Sequence, residues 1–425
     1  MKIAFVGGGS FRVLPIVRST LAQEGVLADG EIRLADLNLA KAEAVGRLIQ
    51  RSPEYQGSDC RVSWTNDLDR ALDGADVLYV TMAVGPHVAT RLSSAASVRR
   101  GFLSSDQLSV TGAFLSLCGG PIILNFARRM EKRCPAAVML IFANPVAVYS
   151  GMVNNHTGVR ALGVCGGFGN HRWDLTRLLT GRDEYRDEYD VDVAGINHLS
   201  FILDGKWRGR DLYRAIDRRV AAGWTQPHIG NDFAHLRGHI RYALNKLVEM
   251  RQRFGKIIFS TEGDGMAHLF YEEMFERAHR HYRPPTLAAI RREAKAGAVR
   301  RGQLDRDFCA WVDRELPADF WRSDGRRNPW FGRADHDVAV PVFRALAGRG
   351  RARIVASAPN RGTVAGFKDR TVLEYSQVID RRGPRPAGHY QIPDCLHGLI
   401  SNLATHQTLL GDAIPREFQA ARDYL

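Results

Sequence analysis

The sequence predicts an α/β protein built on a doubly wound parallel sheet. Three observations predict it. Strand-like and helix-like segments alternate over residues 1–150. The inner strands are apolar along nearly their whole length, as strands covered on both faces must be. A glycine-rich turn follows the first strand directly.

Each element has its own signal. "KIAFVGGG" is an apolar, β-branched run ending in glycines, and "LPIVRSTLAQ" after it has helical spacing. "EIRLADLN" is a second strand ending at Asp36, followed by the helix "KAEAVGRLIQRS". "ADVLYVTMAVG" reads as the third and central strand. "GGPIILNFARRMEKRCP" is a long helix, "AVMLIFANP" is a buried strand broken by proline, and residues 151–164 continue the pattern into "GVRALGVC".

Near residue 165 the alternation fades. "GWTQPHIGNDFAHLRGHIRYALNKLVEMRQRFG" and "AHLFYEEMFERAHRHY" read as helical. "RPPTLAAIRREAKAGAVRRGQLDR" is an exposed basic helix or loop. "RARIVASAPNRGTVAGFKDRTVLEYSQVI" reads as strands with turns at Asn360–Gly362 and Gly366, and "CLHGLISNLATHQTLLGDAI" as a closing helix. No internal repeat stands out. The expected division is two domains, 1–164 and 165–425.

Bulk properties narrow the class. A chain of 425 residues, 45% hydrophobic and 25% charged, suits two soluble α/β lobes. No run of eighteen apolar residues exists, so no membrane association is expected. No basic n-region with a cleavage site precedes the first strand. Six cysteines without paired spacing point to reduced thiols in a cytoplasm. The net charge of +13 comes mainly from arginines in short, dispersed clusters such as Arg99–Arg100, Arg291–Arg292 and Arg381–Arg382. A nucleic-acid binder concentrates such charge, so no nucleic-acid partner is expected. The charge reads as a solvated surface, with a few arginines left to serve an anionic small substrate.

The turn "FVGGGSFR" lies where a Rossmann fold holds a pyrophosphate. The helix N-terminus supplies N–H donors, and glycines let the backbone come close. Gly7 and Gly9 match the first two glycines of G-x-G-x-x-G, Arg12 stands at the third, and Ser10 and Phe11 lie between. Asp36 ends the second strand, where a carboxylate accepts from ribose hydroxyls and repels a 2′-phosphate. That favours NAD over NADP. Met82 in "TMAVG" lies where the pyrophosphate and nicotinamide pass. Asn144, before Pro145 at a strand end, either aims its amide into the binding crevice or marks a simple turn. Cys165 in "GVCGG" and His198 in "GINHLSF" share an apolar setting. Each is a core residue, or they form a site together, with Cys165 as nucleophile or metal ligand.

"KIAFVGGGSF", "ADLN", "ANPVAVYS", "GVCGG", "GINHLSF" and "NRGTVAGFKDRTVLE" run in order over nearly the whole chain. Together they resemble glycoside hydrolase family 4 and its close relatives. The resemblance implies a fold shared with lactate and malate dehydrogenases, with a second α+β domain of that kind. It also implies glycoside cleavage with tightly held NAD and a divalent cation, typically Mn²⁺, in a homodimer or homotetramer. In that chemistry NAD takes hydride from sugar C3, which acidifies the C2 proton. A base removes the proton, the leaving group departs from C1, water adds, and the hydride returns. The cation polarises the C2 and C3 oxygens. No carboxylate dyad is required.

By the same resemblance Cys165 and His198 are the protein ligands of the cation, and Asn197 orients a sugar hydroxyl. Gly166 and Gly167 stand where many members carry a polar residue after the cysteine. The base is Tyr242 in "GHIRYALNKL" or Asp264 in "FSTEGDGMAHLFYEE", the latter with His268 beside it. "GFLSSDQLSVTG" departs from the G-Q-E-T stretch of the phospho-specific branch. Arg12 and Arg91 still suit an anionic sugar, whether a 6-phosphate, a uronate or a sulfonate such as sulfoquinovose. The alternative enzyme reading is an NAD-dependent 2-hydroxyacid dehydrogenase of the malate or lactate type.

Overall fold

Six strands pair in parallel: β1 (Lys2–Val6), β2 (Glu31–Ala35), β3 (Arg61–Thr65), β4 (Val77–Val80), β5 (Val138–Ile141) and β6 (Arg160–Gly163). Their order is β3-β2-β1-β4-β5-β6. The order reverses between β1 and β4, and open α/β sheets bind ligands in the crevice at such a point. The computed structural model describes residues 1–82, 87–182, 188–223, 237–260, 265–270, 272–273, 283–316, 320–322 and 338–423.

β4 and β5 are buried at every position, which explains their unbroken apolar runs. β3, "RVSWT", is an edge strand that the sequence reading passed over, so "ADVLYVTMAVG" supplies the fourth strand in chain order, although it is central. Five residues of mixed exposure at a sheet edge leave a weak pattern.

Beyond β6 the sheet continues with the opposite sense. β11 (Ala352–Pro359) meets β6 through one antiparallel bridge, Ser357 to Gly163. β12 (Val372–Asp380), β7 (Tyr189–Ile196), β8 (Leu199–Trp207) and β10 (Ile257–Ser260) follow, all antiparallel. β9 (Arg210–Asp211) and β13 (Gly383–Pro386) pair at its sides. A Rossmann sheet thus leads into an antiparallel region with its own helices, and the change of sense falls after Gly163. β7 and β8 have no counterpart among the elements expected from the sequence.

Helices cover both faces. Leu39–Gln50 starts at Asn38, whose side chain accepts from the Lys41 N–H, and Val110–Arg133 starts at Ser109 in the same manner. By length and composition Val110–Arg133 could cross a membrane, but more than half of its most apolar window is buried inside the protein, as in a core helix. The C-terminal helix Asp394–Asp423 returns to pack on Val146–His156 and on Val110–Arg133, where Gly120 admits Ile414. The basic stretch forms the helix Leu287–Trp311, which buries Ile290 and Phe308 and leaves most of its arginines outside. Most of "AHLFYEEMFERAHRHY" lies outside the described residues.

Candidate active site

At the crevice the chain leaves β1 through Gly7, Gly8 and Gly9. Gly7 and Gly8 both donate to the Ala35 carbonyl at the end of β2. Gly7 has φ +84°, and a Cβ there would lie 2.9 Å from the Thr81 carbonyl oxygen, so the ends of β1 and β4 touch through this glycine. Gly9 donates to Asp36 Oδ2 at 2.9 Å, and Asn38 donates to Oδ1 at 2.9 Å. Asp36 thus braces the turn from the end of β2. Leu37 beside it is 98% exposed.

Ser10 Oγ accepts from the Arg12 N–H. Phe11 stacks edge-on with Phe308 at 4.9 Å and lies under the Lys41 ammonium, which ties the turn to the helix Leu287–Trp311. Arg12 sits with its guanidinium 3.6 Å from the Phe142 ring centre, and its Nε donates to the Tyr79 hydroxyl at 3.4 Å. Met82 packs on the core just past β4. Arg91, on the helix His87–Arg99, forms an ion pair with Glu293.

Asn144 and Pro145 join through a cis peptide after β5, and Asn144 donates through Nδ2 to Asp106 Oδ2 at 2.7 Å. Asp106 lies in the "SSDQLS" segment, and the sequence reading did not single it out. Val164 donates to Ile141 after β6, and Cys165 follows.

Cys165 meets the hairpin of β7 and β8. Ile196 and Leu199 pair across it, leaving Asn197 and His198 as its two-residue turn. His198 has φ +68°, a left-handed conformation that a non-glycine residue adopts at a cost of about 1–3 kcal/mol, and such outliers cluster at functional sites. Its Nε2 lies 3.4 Å from Cys165 Sγ. With bonds of about 2.3 Å to sulfur and about 2.1 Å to nitrogen, as zinc sites show, that separation suits two ligands of one small cation. Among the described residues no third His, Cys, Asp or Glu completes a cluster, so further ligands would come from substrate or water.

Behind the turn stands Glu374 of β12. It accepts from Asn197 Nδ2 at 2.7 Å and from Ser200 Oγ at 2.6 Å. Asn197, Ser200 and Glu374 are 2%, 1% and 8% exposed, while Asn197 Oδ1 is buried without a partner among the described residues. The sequence signal for Glu374 was a carboxylate inside the apolar strand "TVLEYSQVI".

Tyr242 lies on the helix Arg237–Phe254 and is buried in the core. The Lys246 ammonium, one turn later, is 5.5 Å from its ring centre and bonds Glu249 and Glu273 at 2.8 and 2.6 Å. His268 is exposed at the end of a short 3₁₀ turn, and Asp264 lies outside the described residues.

The family 4 glycosyl hydrolase model matches residues 2–180, and the model of that family's C-terminal domain matches residues 193–419. Among curated proteins, an Escherichia coli 6-phospho-beta-glucosidase is 26% identical over 52% of this chain and 50% of its own length. The chain spans about half the length of that relative, and likewise of a Bacillus subtilis alpha-galactosidase. A Rhizobium meliloti alpha-galactosidase is 23% identical over 97% of this chain and 81% of its own length. A Thermoanaerobacter italicus alpha-galacturonidase is 21% identical over 97% and 88%. Among solved structures, a 6-phospho-alpha-glucosidase from gut microorganisms, in complex with NAD and Mn²⁺, superposes with a TM-score of 0.74 at 18% identity, covering 97% of this chain and 89% of that one. The Thermotoga maritima 6-phospho-beta glucosidase with manganese, NAD⁺ and glucose-6-phosphate gives 0.72 at 16%, covering 97% and 90%. A Plasmodium falciparum malate dehydrogenase gives 0.55 at 11%, covering 97% and 99%, a likeness of fold alone.

Proposed function

Because the chain belongs to family 4 of the glycosyl hydrolases, we propose that it hydrolyses a glycoside with the help of NAD and a divalent cation, Mn²⁺ foremost. Residues 1–164 carry the cofactor and residues 165–425 the substrate. The observation that carries this reading is the Cys165–His198 pair, formed across 33 residues of sequence beside the crevice of a dinucleotide-binding sheet.

The residues present fit both groups. A Cβ at Gly7 or Gly9 would crowd the turn, so the backbone stays open to a pyrophosphate, with Ser10, Phe11, Met82 and Asn144 around it. Asp36 faces the ribose, and the exposed Leu37 offers an apolar surface to the base. Thiolate and imidazole are ordinary donors to a first-row cation. When bound, NAD supplies reversible hydride removal at sugar C3, and the cation stabilises negative charge on the C2 and C3 oxygens.

The chain's own groups do the rest. Cys165 and His198 would hold the cation, and the neighbouring Asn197, its amide turned to Glu374, would fix the turn that carries His198. Tyr242 is one candidate to take the C2 proton through its phenolic oxygen, with the Lys246 ammonium 5.5 Å from its ring centre. Asp264, which the sequence sets just before His268, is the other candidate for that proton. As the C2–H bond breaks, the leaving group departs from C1, and water adds there.

The substrate is an anionic glycoside, whether a 6-phosphate, a uronide or a sulfonate. The names of the relatives include 6-phospho-glucosidases and galacturonidases, which support that class, beside alpha-galactosidases, which do not. Arg12, its guanidinium 3.6 Å from the Phe142 ring centre, follows the glycine turn, and Arg91 pairs with Glu293. The six cysteines, all free, suit a cytoplasmic enzyme, which we expect to be a homodimer or homotetramer. The dehydrogenase alternative is weaker, because the family match is to glycosyl hydrolases and the malate dehydrogenase likeness is one of fold.

The test is a panel of 4-nitrophenyl glycosides carrying 6-phosphate, uronate, sulfonate or neutral sugars, assayed with and without NAD⁺ and Mn²⁺. Release of nitrophenol that needs NAD⁺ and accumulates no NADH supports the reading. If no glycoside turns over while a 2-hydroxy acid reduces NAD⁺ one for one, the reading is wrong.

A further inference from the structure

We infer that Glu374 is a positioning residue for the Cys165–His198 cation site, holding the His198 turn in its ligating conformation from the neighbouring hairpin. The inference rests on the cation reading above. Three observations carry it.

First, the two groups that Glu374 binds flank the ligand. Asn197 immediately precedes His198 and Ser200 follows it by two residues, so the carboxylate grips the turn on both sides. Second, the turn needs holding. His198 sits at φ +68° in a two-residue link between paired Ile196 and Leu199, which Ser200 Oγ also spans at 2.8 Å from the Ile196 carbonyl. Gly195, the residue across from Glu374 in the β12–β7 pairing, has no room for a Cβ, which would lie 2.5 Å from the Leu199 carbonyl oxygen. The hairpin therefore folds tightly over this point, and the carboxylate reaches over it.

Third, the placement is expensive for a purely structural contact. A carboxylate at 8% exposure makes no ion pair among the described residues, and its charge is met only by neutral donors. Asn197 Oδ1, without a partner among the described residues, is buried on the same turn, so the group is not arranged to satisfy itself alone. Groups that orient metal ligands change affinity about 10–100-fold when removed.

The experiment uses the full chain and Co²⁺ as probe. The near-ultraviolet thiolate-to-cobalt band reports Cys165 as a ligand, and Cys165→Ser is its control. Glu374→Ala is expected to shift the half-saturating Co²⁺ concentration up by about 10–100-fold, with NAD⁺ affinity kept. Glu374→Gln, which retains the shape and one acceptor, restores most of the loss. A folded Glu374→Ala protein with an unchanged Co²⁺ midpoint overturns the inference. So does a Gln variant as weak as the Ala variant, because charge and not position would then be the cause. If Glu374→Ala does not fold, Ser200→Ala removes one of the two bonds at little loss of volume, and an unchanged midpoint there overturns the inference equally. Failure of the wild-type protein to develop the band while binding NAD⁺ overturns the cation reading itself, and is thereby told apart.

Discussion

Cys165 Sγ lies 3.4 Å from His198 Nε2, the one residue following the last parallel strand and the other forming the tip of an antiparallel hairpin. The contact joins the end of the parallel half of the sheet to a hairpin of the antiparallel half. A thiol and an imidazole at that junction can be dismissed as core only if removing them affects stability and nothing else.

Cys165→Ser and His198→Ala should each lower hydrolysis at limiting Mn²⁺ by about 100-fold or more, while NAD⁺ binding stays near wild type. Initial rates measured across a Mn²⁺ titration check this. Equal loss of NAD⁺ affinity would point to a collapsed fold.

Gly9→Ala should weaken NAD⁺ binding by about tenfold, or about 1.4 kcal/mol. A Cβ there lies 3.0 Å from Asp36 Oδ2 and 3.1 Å from Lys41 Cγ, so the brace between turn and strand must shift. Asp36→Asn should narrow the preference for NAD⁺ over NADP⁺ by removing the charge that opposes a 2′-phosphate. Calorimetric titration with both nucleotides reads each effect.

Arg12→Lys should cost about 1 kcal/mol of stability, because an ammonium keeps the charge but not the flat stack on Phe142 or the bond to Tyr79. Denaturant unfolding measures it. No change would refute the stacking role.

Burial pushes the thiols of Cys60 and Cys134 up to about 11, so both stay protonated at pH 8 while the exposed Cys395 is open to reagent. Mass spectrometry after brief iodoacetamide treatment should find Cys395 modified and these two protected. The sign for stability follows. The folded thiols hold their protons above the ordinary value of 9.0, so their contribution is whole below that pH and is lost as pH rises from about 9 towards 11.

Much of this was legible in the sequence, for physical reasons. The apolar runs of β4 and β5 are written residue by residue because both faces are buried, and the glycine turn is written in its glycines. β3 escaped because an edge strand need not be apolar. β7 and β8 escaped because an antiparallel hairpin lacks the alternating helices that marked the first lobe. Asp36 stands out in the sequence from its place at a strand end, and in the structure it braces the glycine turn. Asp106 and Glu374 do not stand out, because each acts through a partner distant in the chain, Asn144 at 38 residues and Asn197 at 177. A lone carboxylate in an apolar strand was the signal for Glu374, but only the folded register says what it holds.

The central claim is that hydrolysis proceeds by transient oxidation at C3 and loss of the C2 proton. The most direct measurement is hydrolysis of an accepted aryl glycoside in D₂O, with NAD⁺ and Mn²⁺, followed by NMR of the released sugar. The account predicts deuterium at C2 and strict dependence on NAD⁺, with no net NADH. Hydrolysis that proceeds without NAD⁺ and leaves C2 fully protiated would contradict it.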